Sequence, residues 1–141
     1  MKEKLRVLFV CTHNSARSQM AEGLLRALAG DRYEVYSAGT EPRGVHPLAI
    51  RVMQELGIDL STHRSKSVEA YREIPMDYVV TVCDHAREHC PYVPARRQNL
   101  HQSFPDPSAV EGDAEVRLEA FRRVRDQIRS WLEQTFLSSR V

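Results

Sequence analysis

The sequence predicts an α/β protein: a small four-stranded parallel sheet, doubly wound, with helices on both faces. Three observations predict it. Leu5–Val10 (LRVLFV) and Asp77–Val82 (DYVVTV) are nearly continuous apolar runs, the mark of strands buried on both faces. Apolar residues at helical spacing follow the first run and recur later in the chain. Strand-like and helix-like segments also alternate along the chain, the pattern of a parallel sheet with crossover helices. The 141 residues suit one domain, 1–141, long enough to bury a real core.

Each element has its own signal. After Leu5–Val10, a helix is expected from Ala16, with Met20, Ala21, Leu24, Leu25 and Leu28 on one face and Gly30 as its stop. Tyr33–Ala38 (YEVYSA) reads as a second strand closed by Gly39. Pro47–Leu56 reads as a helix with proline in its first turn and Gly57 as C-terminal cap. A weaker helix is expected over Ser67–Glu73, and the third strand over Asp77–Val82. Asp84–His89 can form one or two helical turns, while Pro91 pushes Cys90 out of helical geometry. Residues 91–110 read as loop with a short strand near Gln98–Gln102. From Asp113 to Phe136, Val116, Phe121, Val124, Ile128, Trp131 and Leu132 mark a long amphipathic helix. Its arginines alternate with acids, which reads as a solvated face.

Composition narrows the classes. Lys and Arg number 20 against 19 Asp and Glu, a net charge of +1. That balance gives no electrostatic case for nucleic acid or an anionic membrane as partner. No apolar run approaches the roughly 20 residues that span a bilayer. The apolar stretch of MKEKLRVLFVCTHN is short, broken by Arg6 and without a small-x-small cleavage site. It reads as a strand and not a signal peptide, so a cytoplasmic protein is expected, and a monomer.

Chemistry gathers at the end of the first strand. VCTHNSARSQ places Cys11 and Arg17 at the two ends of a short polar loop between strand and helix. Such a turn aims backbone N–H groups at the space above the strand, and the helix dipole adds positive potential. Arg17 can present a planar fork to two oxygens of a tetrahedral oxyanion held by Thr12, His13, Asn14, Ser15, Ala16, Arg17 and Ser18. The Cys11 thiol would lie beneath that anion, with the helix terminus and Arg17 favouring its thiolate and the Ser18 hydroxyl bonding to it. Asn14 is the loop residue best able to adopt a left-handed conformation. No Gly-Lys-Ser/Thr follows, so this is not a nucleotide P-loop, and the loop lacks the glycines of a dinucleotide site. A buried cysteine and an unrelated surface arginine would give the same C-x5-R spacing.

Cys83 directly follows the third strand, so it should lie on the same rim of the sheet as Cys11, where ligands of open α/β sheets bind. VCDHAREHCP then puts Cys90 seven residues further on. In a helix these two would sit about 10 Å apart along the axis, beyond the roughly 7 Å between Cα atoms that a disulfide allows. A Cys83–Cys90 bridge therefore requires the segment to unwind. Cys83 as a plain buried residue, and zinc held by Cys83, His85, His89 and Cys90, are alternatives. Zinc would itself require refolding, and no metal is expected.

LFVCTHNSARSQMAEG resembles the active-site loop of the low-molecular-weight tyrosine phosphatases, and more closely that of the thioredoxin-coupled arsenate reductases on the same fold, which is flavodoxin-like. YSAGT, VVTVC, FPDP and the C-terminal helix fall in matching order. The resemblance implies arsenate as substrate and a relay of three thiols. Cys11 attacks arsenic, Cys83 attacks Cys11 and releases arsenite, and Cys90 attacks Cys83. Thioredoxin then reduces the Cys83–Cys90 disulfide. It implies no cofactor, and it makes Asp106, between two prolines, the general acid for the leaving oxygen. His13 stands where related loops often carry glycine, and Ala16 where some carry cysteine. Lys66 stands where some relatives have an aspartate that helps bind potassium near Asn14 and Ser37; its ammonium can stand in for that ion. His46, His63 and His101 read as surface or hydrogen-bonding residues. A phosphomonoesterase forming a phosphocysteine is the principal alternative, although DPSAVEG lacks the aromatic residues that often follow the acid in tyrosine phosphatases. A non-catalytic oxyanion or metal sensor would keep the anion-binding loop without turnover.

Overall fold

The computed structural model describes residues 3–89 and 93–137, apart from the side chains of Arg87 and His89. Cys90 lies outside the described residues. Four parallel strands, β1 (Leu5–Cys11), β2 (Tyr33–Gly39), β3 (Met76–Thr81) and β4 (Ala95–His101), pair in the order β2-β1-β3-β4. β1 and β3 are central, which is why their sequences are nearly continuous apolar runs. The crossover from β1 through α1 (Arg17–Ala29) runs one way along the sheet, and that from β3 through α3 (Asp84–His89) runs the other. With right-handed crossovers, α1 and α3 cover opposite faces.

The long α4 (Ala114–Phe136) shares the face of α1. Its Phe136 meets Phe9, Tyr33 and Tyr78 edge-on, with centroids 5.4–6.3 Å apart. α2 (Pro47–Gln54) is tied to α4 by Arg125, which donates to the Val52 carbonyl and to Glu55, both at 2.8 Å. Past α2, Gly57 adopts φ +75°, with Gly57 N–H on the Gln54 carbonyl and Ile58 N–H on that of Met53. These two bonds are a Schellman cap, so Gly57 terminates the helix as its sequence suggests.

Two expectations need correction. The helix expected over Ser67–Glu73 is a single 3-10 turn, Val68–Tyr71, capped by the Ser67 hydroxyl. Tyr71 packs on Tyr36 instead of extending a helix. The fourth strand begins at Ala95, three residues before the expected Gln98. β4 is an edge strand whose residues (ARRQNLH) are mostly exposed, so backbone pairing with β3 and not burial defines it.

Candidate active site

β1 ends at Cys11 on the carboxyl rim of the sheet, and the loop beyond it turns back over the strand. The turn depends on Asn14, whose φ of +48° makes it the one left-handed non-glycine residue among those described. Its side chain is fully buried and fully used. Nδ2 donates to Ser18 Oγ (2.8 Å) and Ser37 Oγ (2.9 Å), while Oδ1 accepts from Gln19 Nε2 (3.0 Å) and Lys66 N–H (2.9 Å). The loop carbonyls face outward: Thr12 O accepts from Glu41 N–H, His13 O from Arg43 N–H and Ser15 O from His46 N–H. Among the described residues, the amides of His13, Asn14, Ser15 and Ala16 donate to no protein group. α1 starts with no side-chain cap and no acid in its first turn. Loop amides and helix terminus thus converge as donors, the arrangement that stabilises an anion. Gly39 lets the loop lie this close: a Cβ there would come within 2.7 Å of Thr12 O and 2.8 Å of Asn14 N.

Cys11 is buried, and its Sγ lies 2.9 Å from Ser18 Oγ. Either atom can donate in this contact; when Cys11 is a thiolate the Ser18 hydroxyl is the donor, with Asn14 Nδ2 donating to the same oxygen. A donor aimed there stabilises negative charge on Cys11. Arg17 is held by the Phe104 carbonyl (3.1 Å), with Nη2 at 3.9 Å from Asp106 Oδ2. Asp106 is extended (φ −82°, ψ 107°) between its prolines, as expected. Its Oδ1 accepts from Ser108 N–H (3.0 Å) and Ser108 Oγ (2.7 Å), which leaves Oδ2 facing Arg17. Cys11, Arg17, Ser18 and Asp106 are thus gathered at one rim.

Cys83 reaches the same rim. Its buried Sγ accepts from Ala86 N–H at 3.4 Å and lies 3.4 Å from Thr12 Oγ1, the residue next to Cys11. Cys11 and Cys83 are both free thiols. Cys90, the third expected thiol, lies outside the described residues. Among those described, no three His, Cys, Asp or Glu side chains gather as metal ligands; the His89 side chain and Cys90 of the zinc alternative fall outside them.

The sequence reading missed a buried ion cluster behind the loop. Glu22 accepts from Ser37 Oγ, pairs with Arg26, and lies 3.7 Å from Lys66 Nζ and 4.0 Å from His63 Nδ1. Burial lowers the pKa of Lys66, an effect that Glu22 opposes. Burial likewise lowers that of His63, whose Nδ1 donates to Gln19 Oε1 at 3.0 Å. The potassium-site residues of some relatives are committed to protein partners here. Asn14 Oδ1 is filled, Ser37 donates to Glu22, and the Lys66 ammonium brings its own positive charge beside Glu22. This donor set does not fit potassium. The signal for Glu22 was faint because it sits on α1 one turn before Arg26, where an acid ordinarily reads as half of an exposed i,i+4 pair.

The model of the low molecular weight phosphotyrosine protein phosphatases matches residues 6–140. The chain belongs to that family. Within it, an arsenate reductase of Halalkalibacterium halodurans is 45% identical over 122 residues, 86% of this chain and 88% of the relative. A solved arsenate reductase in its phosphate-binding state is 34% identical with a TM-score of 0.76, covering 92% of this chain and 95% of that one. A solved thioredoxin-dependent arsenate reductase of Corynebacterium glutamicum is 30% identical with a TM-score of 0.67, covering 98% of this chain and 65% of that one. No helix among the described residues is long and apolar enough to cross a membrane.

Proposed function

We propose that the chain reduces arsenate to arsenite through a thiol relay opened by Cys11. The observation that carries this is the single Thr12 side chain linking the end of the Cys11 loop to Cys83 Sγ. Hydrolysis of a phosphate ester calls for no second thiol there. Curated arsenate reductases at 40–45% identity over most of the chain support the same activity.

In the relay, the loop amides and Arg17 hold arsenate while the Cys11 thiolate attacks arsenic. Asp106 gives its proton to the departing oxygen, and a Cys11–arsenic bond forms. Cys83 attacks the Cys11 sulfur; the sulfur–arsenic electron pair passes to arsenic, which leaves as arsenite. The resulting Cys11–Cys83 disulfide is exchanged by Cys90 into Cys83–Cys90, freeing Cys11. A dithiol reductant, thioredoxin in this reading, supplies the two electrons that reopen the bridge.

Cys83→Ser tests this directly. Multiple-turnover arsenate reduction with thioredoxin should fall to background while one equivalent of arsenate still reacts at Cys11. Undiminished turnover would refute the relay, and retained hydrolysis of an aryl phosphate without any arsenate reduction by the native protein would favour the phosphatase alternative.

A further inference from the structure

Cys83 must lose a proton before it can attack, and the structure supplies a path for it. Thr12 Oγ1 stands between two partners: Cys83 Sγ at 3.4 Å and His85 Nδ1 at 3.1 Å. Beyond Thr12, the bond to Cys83 among the described residues comes from the Ala86 amide, which can donate but cannot take a proton. We propose that His85 is the proton acceptor for Cys83, reached through the Thr12 hydroxyl. The proposal rests on the relay above, in which Cys83 is the second thiol.

The step balances without moving a heavy atom. Before transfer, the Cys83 S–H donates to Thr12 Oγ1 and the Thr12 O–H donates to His85 Nδ1. The S–H bond breaks as a new O–H bond forms on Thr12, and the original Thr12 O–H breaks as an N–H bond forms on Nδ1. Afterwards the imidazolium donates to Thr12 Oγ1 and the hydroxyl donates to the thiolate. The same two distances serve both states, so the hydroxyl that receives the proton also stabilises the charge left behind. His85 is exposed, so its ring can pass the proton to water. Thr12 adjoins Cys11, which places this relay beside the sulfur to be attacked.

The test uses Cys90→Ser protein, in which the reaction should stop at the Cys11–Cys83 disulfide. Rapid quench after arsenate addition should show that disulfide forming on the order of 100-fold more slowly when His85→Ala is added, the usual scale of a lost general base. Free imidazole should restore a substantial part of the rate. His85→Asn, which can accept a hydrogen bond from Thr12 but not a proton, should stay slow. An unchanged rate in His85→Ala, or full recovery with asparagine and none with imidazole, would overturn the proposal; the latter would leave only a positioning role.

A second readout needs no arsenate. In Cys11→Ser/Cys90→Ser protein Cys83 is the sole cysteine, and iodoacetamide should alkylate it roughly tenfold more slowly without His85, because the thiolate is the reactive form. Absence of the Cys11–Cys83 disulfide in protein with His85 intact would overturn the relay itself, while the alkylation rate would still decide whether His85 takes the proton.

Discussion

Gly39→Ala tests whether the loop between β1 and α1 is held in one place by close packing. The new Cβ would sit 2.7 Å from the Thr12 carbonyl oxygen, 2.8 Å from the Asn14 nitrogen and 3.0 Å from the His13 carbonyl carbon. All three are backbone atoms, so no side chain can swing aside. The glycine cannot retreat, because its N–H bonds to the Lys66 carbonyl at 2.8 Å and it bridges to Ser67. The loop must therefore move by several tenths of an ångström. Overpacking of this kind costs about 1–3 kcal/mol. For a domain of this size that lowers Tm by about 3–10 °C. The rate should fall as well, by up to about 100-fold, the cost of a misplacement on the order of 1 Å at a reacting centre. Calorimetric melting and kcat/KM for arsenate would be measured on the same preparation. A variant that melts and turns over like the native protein would refute the argument that this contact sets the loop.

Two further perturbations probe the supports. Asn14→Ala loses four side-chain hydrogen bonds and retains a left-handed backbone, so urea unfolding should show a loss of about 3–5 kcal/mol. Asn14→Gly should be about 1 kcal/mol less damaging than Asn14→Ala, the reverse of the usual order; equal losses would mean the left-handed turn carries no strain. Glu55 tests the α2–α4 junction, where hydrogen bonds from Arg122 and then Arg125 hold its pKa down to about 2 from an ordinary 4.5. A lowered carboxylate pKa contributes stability that is present above pH 4.5 and lost as pH falls towards 2. Glu55→Gln should lower stability at neutral pH and flatten the acid unfolding curve across that window; an unaltered curve would show that the ion pairs contribute nothing there.

The sheet and the turn of the loop after β1 were legible because their signals are local. A continuous apolar run marks β1, and a single asparagine tolerates the left-handed turn. What escaped depends on contacts between distant segments. β4 is nearly as polar as a loop, and only its ladder with β3 makes it a strand. Glu22 is buried because Ser37, Arg26, Lys66 and His63 converge on it, and sequence spacing reveals only Arg26, one turn further along α1. The link from Thr12 to Cys83 and His85 joins residues more than 70 positions apart. Sequence could place both thiols on one rim, but not name the hydroxyl between them.

The most direct test of the central claim is thiol mass spectrometry on fully reduced protein treated with arsenate and no other reductant. The relay predicts one arsenite released per chain, a mass loss of two hydrogens, and peptides joined through Cys83 and Cys90. Three free thiols after exposure to arsenate would contradict it.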